Sequence, residues 1–396
     1  MAPTKPKSSK GPKERARERA RAAKAASASA NSRELLARAT ALLEEGDAVN
    51  AAKSALAAFE GIGEAGRQAG AALTLLGHIH VELGEIEKAR EYFLAAVGVD
   101  TDGSLPEDLG GGCEKFLWLA QLSEEGGQDS VSWFERGAAA LRTQIQVLSE
   151  KLDSLPLTRA QQEAVVNEKK RKLADALCAV TEVYMTDLSW EEDAEQRCEA
   201  LITEATMLAP DVPETWQTVA NVRISQLRME EAQAALKRSL GVWMDLPPED
   251  TGVPAFATRV ALVRLLIEVG MEEEAIEVAE RLISEDDTSV EVWYLGGYGR
   301  YMLGEKLKQK GERSSDDQDW QAVWRSSRKR LAQCLRIFEV EEYEDERLRE
   351  HANELLSSIR KEFGDEGGED EAWEDTDDED DDSDDYDESD EDAEMQ

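Results

Sequence analysis

Small residues recur through this chain at spacings that only packed helices use. In 71–100 the segment AALTLLGHIHVELGEIEKAREYFLAAVGVD sets Gly77, then Gly84, Ala89, Phe93 and Ala96. The same frame returns as Trp216, Val219, Ala220, Ala232, Leu236 and Ser239, as Gly270, Ala275, Ala279 and Leu282, and as Trp293, Gly296, Gly297 and Gly304. Residues 35–58 fit it with Gly46, Ala51, Ala55 and Ala58. Small side chains belong where two helices cross closely, large apolar ones fill the gaps between crossings, and a glycine ends the first helix in a left-handed conformation that it adopts cheaply.

A helix–turn–helix unit of about 34 residues that repeats in this way resembles the tetratricopeptide repeat. Two weaker units complete the series. One begins near Glu114, with Phe116, Leu119 and Ala120 in frame, and its second helix runs on to about Leu152. The other is built on Leu177, Val180, Thr181 and Tyr184, is preceded by a helix capped by Thr158, and carries extra residues around Trp190. The seventh unit holds an insertion near Gly311–Gln318, and an amphipathic helix over about Tyr343–Phe363 covers the last apolar face. The expectation is an all-α chain: a right-handed solenoid of about seven irregular units over 34–363, with a capping helix at its end.

The ends do not share this pattern. Residues 1–33 hold ten Lys/Arg against two acids, a basic leader. From Asp365 to Gln396, 21 of 32 residues are Asp or Glu and none is Lys or Arg. Neither end has the apolar periodicity that would offset the entropy of ordering, so both are expected to be disordered, 1–33 as leader and 364–396 as acidic tail. Net charge is −40 overall and −27 over 34–364, so the folded body is acidic in its own right. That balance disfavours nucleic acid and anionic membrane as partners and favours basic proteins. No apolar run is long enough to span a bilayer.

Nothing points to catalysis, cofactor or metal. The cysteines Cys113, Cys178, Cys198 and Cys334 are far apart and lie among apolar neighbours, which reads as buried thiols in a reducing compartment. His78 and His80, two apart on a helix, point to different faces.

The tetratricopeptide resemblance implies a peptide-binding inner surface made by the first helix of each unit. The frame places Glu82, Glu114, Glu124, Glu125, Asp175, Glu182, Glu214, Glu268 and Glu291 there, with Tyr294, Tyr298 and Tyr301 on one side of the seventh unit. Basic residues are sparse on it, Arg33 at the edge and Arg264. Carboxylates and tyrosines suit a Lys/Arg-rich segment through ion pairs and cation–π contacts. Units that grip the acidic C-termini of heat-shock chaperones need Lys, Arg and Asn clustered in the groove, and Asn221 stands nearly alone.

Acidic solenoid, basic leader and Asp/Glu tail together resemble the fungal tetratricopeptide-repeat assembly chaperones dedicated to the fourth large-subunit ribosomal protein, whose long basic loop needs shielding. The resemblance covers 34–396. It implies capture of the newly made ribosomal protein and escort from cytoplasm to nucleus for ribosome biogenesis, while the basic cluster of residues 5–24 reads as a contact for nuclear import machinery. A histone chaperone and a non-catalytic scaffold subunit are the alternatives that the same residues allow.

Overall fold

The computed structural model describes residues 31–63, 68–151, 158–311 and 320–363. Residues 1–30 of the basic leader, most of the seventh-unit insertion and the acidic tail lie outside the described residues. Within them there is helix and no strand. Helix α1 spans 31–44. It is followed by α2 (Ala48–Ile62), α3 (Ala69–Glu82), α4 (Ile86–Val99), a 3-10 turn at Glu107–Leu109, α5 (Glu114–Gln121), α6 (Gly127–Lys151), α7 (Arg159–Met185) and α8 (Ala194–Leu208). Then come α9 (Pro213–Ser225), α10 (Met229–Trp243), α11 (Phe256–Glu268), α12 (Glu272–Glu285), α13 (Val290–Gly311), α14 (Trp320–Val340) and α15 (Glu346–Phe363).

The helices pair in sequence order as antiparallel hairpins, and they sort into two compact units divided between Asp287 and Thr288. The first unit holds α1–α12, six hairpins. The second holds the α13–α14 hairpin and α15. The first described helix begins at 31, inside the segment read as leader.

Hairpin geometry follows from the small residues. Ala39, Ala51 and Ala55 are fully buried at the first crossing. At the second, a Cβ added to Gly77 would lie 2.5 Å from the Phe93 ring, so only glycine lets that ring close the hairpin. Burying a side chain of this size contributes about 1.5–3 kcal/mol. Gly46, Gly84 and Gly270 each take positive φ just after a first helix. Their N–H groups and those of the next residues turn back to carbonyls of that helix, such as Gly84 to Val81 and Glu85 to His80. Leu227 occupies the equivalent turn with φ 58°, a conformation that costs a non-glycine residue about 1–2 kcal/mol.

Caps fix where several helices start. Asp47 accepts from the Asn50 N–H at 3.1 Å. Thr158 and Gln161 form a reciprocal capping box that starts α7, as the sequence predicts. Pro213 opens α9 at a position that needs no N–H. Helix α6 continues to Lys151 and α15 covers the end of the second unit from Glu346. All four cysteines are free thiols, with Cys178 half-buried and the others buried. Burial pushes the Cys178 thiol up to about 11 and that of Cys334 up to about 12, so neither is a nucleophile at neutral pH.

Candidate functional site

In the first unit the leading helices of successive hairpins line up along one face. On α3, Thr74, His78 and Glu82 are one turn apart. On α5 the same spacing gives Glu114 and Trp118, on α7 Asp175, Cys178 and Glu182, and on α9 Glu214 and Thr218. Buried Leu173, Leu177 and Val180 anchor α7 and turn that row outward.

Contacts across the helices make the face continuous. The His78 ring lies 5.6 Å from that of Trp118. Lys172 pairs with Glu114, and Lys169 with Glu107. The Glu214 charge reaches Asp175, and the Cys178 thiol sits beside the Thr218 and Thr215 hydroxyls.

The electrostatics of the row are strained. Asp175 keeps an open surface, but neighbouring atoms crowd its carboxyl, and that crowding, together with the Glu214 charge, raises its pKa. Crowding by neighbouring atoms does the same to the carboxyl of Glu182, which is likewise exposed. His78 is held down to about 4 by burial, with the Lys172 charge adding to it. Its ring also packs 5.4 Å from Phe93. At neutral pH the imidazole is uncharged. Neither its Nε2 nor the Thr74 hydroxyl has a hydrogen-bond partner among the described residues.

This carries a pH prediction. The folded pKa of His78 is depressed, so the stability associated with it is present above about 6.5 and lost as pH falls towards 4, because the unfolded chain binds the proton first. Between those values His78→Gln should remove about 2–3 kcal/mol of pH dependence. Urea midpoints of both proteins from pH 7 to 4 measure it, and parallel curves would contradict it.

The sequence-predicted residues fall into three groups. Glu82, Asp175, Glu182 and Glu214 stand on the row as expected from the frame, and Glu268 is exposed at the end of α11. Glu114 is also on it, but its charge is spent on Lys172. Glu124 and Glu125 are exposed in the turn between α5 and α6 instead of on a helix, and Glu124 lies 3.9 Å from Arg90. Glu291, Tyr294, Tyr298 and Tyr301 belong to the second unit.

Two expectations need correction. The tyrosines are packing residues. Tyr294 and Tyr298 stack on each other and meet His351 of α15 edge-on, with Tyr294 Oη 2.6 Å from His351 Nδ1. Tyr301 stacks on Trp324. The apolar face of α15 needs a cover, and these rings provide it. Nor are bases sparse: the 169–172 run of α7 sends Lys169, Arg171 and Lys172 to Glu107, Asp211 and Glu114. The run is visible in the sequence, but the partners lie 40–62 residues away and no local pattern reveals them. Thr74, His78 and Trp118 escape sequence reasoning too, because an unpartnered polar atom has no sequence signature.

Comparison with known proteins now identifies the lineage. The tetratricopeptide-repeat family model matches residues 70–102. A protein of Emericella nidulans named "Probable assembly chaperone of rpl4" is 46% identical over 349 residues, 87% of this chain and 85% of its own length. Its namesake in Schizosaccharomyces pombe is 32% identical over 313 residues, 78% of this chain and 86% of that one. The chain belongs to this assembly-chaperone family. A solved structure, "Assembly Chaperone of RpL4 (Acl4) (Residues 1-338)", is 72% identical and superposes with a TM-score of 0.68, covering 71% of this chain and 99% of that one. The all-α tetratricopeptide-repeat solenoid expected from the repeat frame is therefore the fold of this family.

Proposed function

We propose that this protein is a dedicated assembly chaperone that binds newly made rpl4 and shields a long basic loop of it. The observation that carries the reading is the 46% identity, over 87% of the chain, to a relative named for that client. The physical properties of the first unit support it. A row of carboxylates, two of them held at raised pKa by crowding, gains favourable partners when a Lys/Arg-rich segment arrives.

Binding, with no chemical step, is the whole of this activity. The further reading is that the chaperone travels with its client between cytoplasm and nucleus. The basic residues of 5–24 serve there as a contact for import machinery.

Purification of the tagged protein at moderate salt, followed by mass spectrometry, tests the client. One stoichiometric large-subunit ribosomal protein, rpl4, is the expected result. Core histones in its place would overturn the reading in favour of a histone chaperone, and an acidic enzyme in favour of a scaffold.

A further inference from the structure

Helix α14 departs from the charge of the rest of the body. It carries five Lys/Arg against one Glu. The described residues of the second unit hold thirteen Lys/Arg against eleven Asp/Glu, whereas 34–364 as a whole is −27. Arg325, Lys329 and Arg336 are exposed at positions i, i+4 and i+11, which lie along one side of the helix. None of the three makes an ion pair among the described residues, whereas four of the five Lys/Arg of α7 pair with a carboxylate.

The described chain ends beside this stripe. Phe363 closes α15, and the Arg325 guanidinium lies over its ring, 5.5 Å from the centroid. Phe363 also stacks on Trp320, the first residue of α14, at 5.9 Å. The described residues therefore end, at Phe363, against the first turns of α14. Directly after residue 364 comes the segment with 21 acids in 32 residues and no base. Helix α14 is about 32 Å long at 1.5 Å per residue. A chain of the tail's length could extend about 110 Å, so it reaches the whole stripe from its point of attachment. In the groove between α14 and α15 the cation Arg349 is already matched, lying among Glu339, Glu350 and Glu354 and pairing with Glu339.

We infer that the acidic tail, 365–396, docks in cis on the cationic side of α14 through Arg325, Lys329 and Arg336. Tethering raises the effective concentration of tail at the stripe to the millimolar range, where a multivalent contact forms even though each single pair is weak. The contact closes the stripe to other polyanions, nucleic acid in particular. The carboxylate row of the first unit, being of the same sign, does not compete for the tail and stays open to a basic client. The inference does not depend on which client that is.

Zero-length carbodiimide coupling of the full chain, read by mass spectrometry, tests it. At about 0.05 M salt, amide bonds between Lys329 and tail carboxylates should form, with yields at least about five times those at exposed Lys53 and Lys237 of the first unit. At about 0.5 M salt, where the Debye length is only about 4 Å, the excess should vanish. Arg325→Gln combined with Arg336→Gln should cut the Lys329 product by a similar factor while leaving the circular dichroism unchanged. Equal yields at Lys329, Lys53 and Lys237, or coupling of the tail to leader lysines in place of Lys329, would overturn the inference. Gel retardation of a single-stranded RNA oligonucleotide by the full chain, lost in the same double variant, would also overturn it, because the stripe would then be a nucleic-acid surface in spite of the tail.

Discussion

Replacing Lys115 by Met should lower the unfolding free energy by about 3–5 kcal/mol, the cost of stranding a buried charge. Lys115 and Asp100 are nearly inaccessible, 1% and 4% exposed. The ammonium donates to Asp100 Oδ2 at 2.7 Å and to the carbonyls of Gly110 and Gly112 at 3.2 Å each, so all three of its protons are used. The other Asp100 oxygen accepts from the N–H groups of Ser104 and Leu105 at 3.1 and 3.3 Å. One ion pair thus joins the start and the end of the irregular segment between α4 and α5, in which a helical repeat supplies no backbone partners. Without the ammonium, the Asp100 carboxylate remains buried with no counter-charge, and the two glycine carbonyls lose their donor. Urea unfolding measures the loss, and proteolysis within 101–112 should accelerate. The double variant Lys115→Met/Asp100→Asn should recover part of the deficit, because no net charge is then stranded. A single variant that loses less than about 1 kcal/mol would show that the segment is held by its other contacts.

That segment also marks the limit of what sequence reveals here. Hairpins built on Gly77 and Phe93, or on Gly270, Ala275 and Ala279, were legible because close helix crossings demand small residues at fixed spacing. The Thr158 cap and the capping role of α15 were legible for the same reason, each being a local rule. Lys115, by contrast, looks like an ordinary surface lysine until Asp100, fifteen residues earlier, is seen to face it. The carboxylate row was half legible. Helical spacing placed Asp175, Glu182 and Glu214 on a common side, but it could not tell that Lys172 would neutralise Glu114. Nor could it tell whether an aromatic on a helix turns to a partner or to a neighbour. For Tyr294, Tyr298 and Tyr301 the apolar face of α15 decided that question.

Reversing Asp175, Glu182 and Glu214 to Lys should weaken binding of a Lys/Arg-rich client more than about 100-fold, equivalent to about 2.7 kcal/mol. Close charge pairs across an interface are coupled by about 1.5–7 kcal/mol, and here three attractions become repulsions on adjacent helices. Glu114 is left in place, since its reversal would set a second cation against Lys172 and confuse repulsion with misfolding. A milder variant separates the two effects further. The folded pKa values of Asp175 and Glu182 are raised, so what these groups contribute to stability is fully present below their unfolded values and is lost as pH rises through the folded ones. The surroundings of both oppose ionisation. Asp175→Asn with Glu182→Gln should therefore raise the melting temperature at pH 7, while the gain disappears near pH 4. The same substitutions should reduce client affinity, because the groups that destabilise the free protein are the ones a cationic segment would satisfy. Stability and binding moving in opposite directions is the signature of a surface held ready for a ligand. Calorimetric titration with the purified client, paired with thermal melts, reads both. Affinity unchanged in the triple reversal would mean that the client docks away from this row.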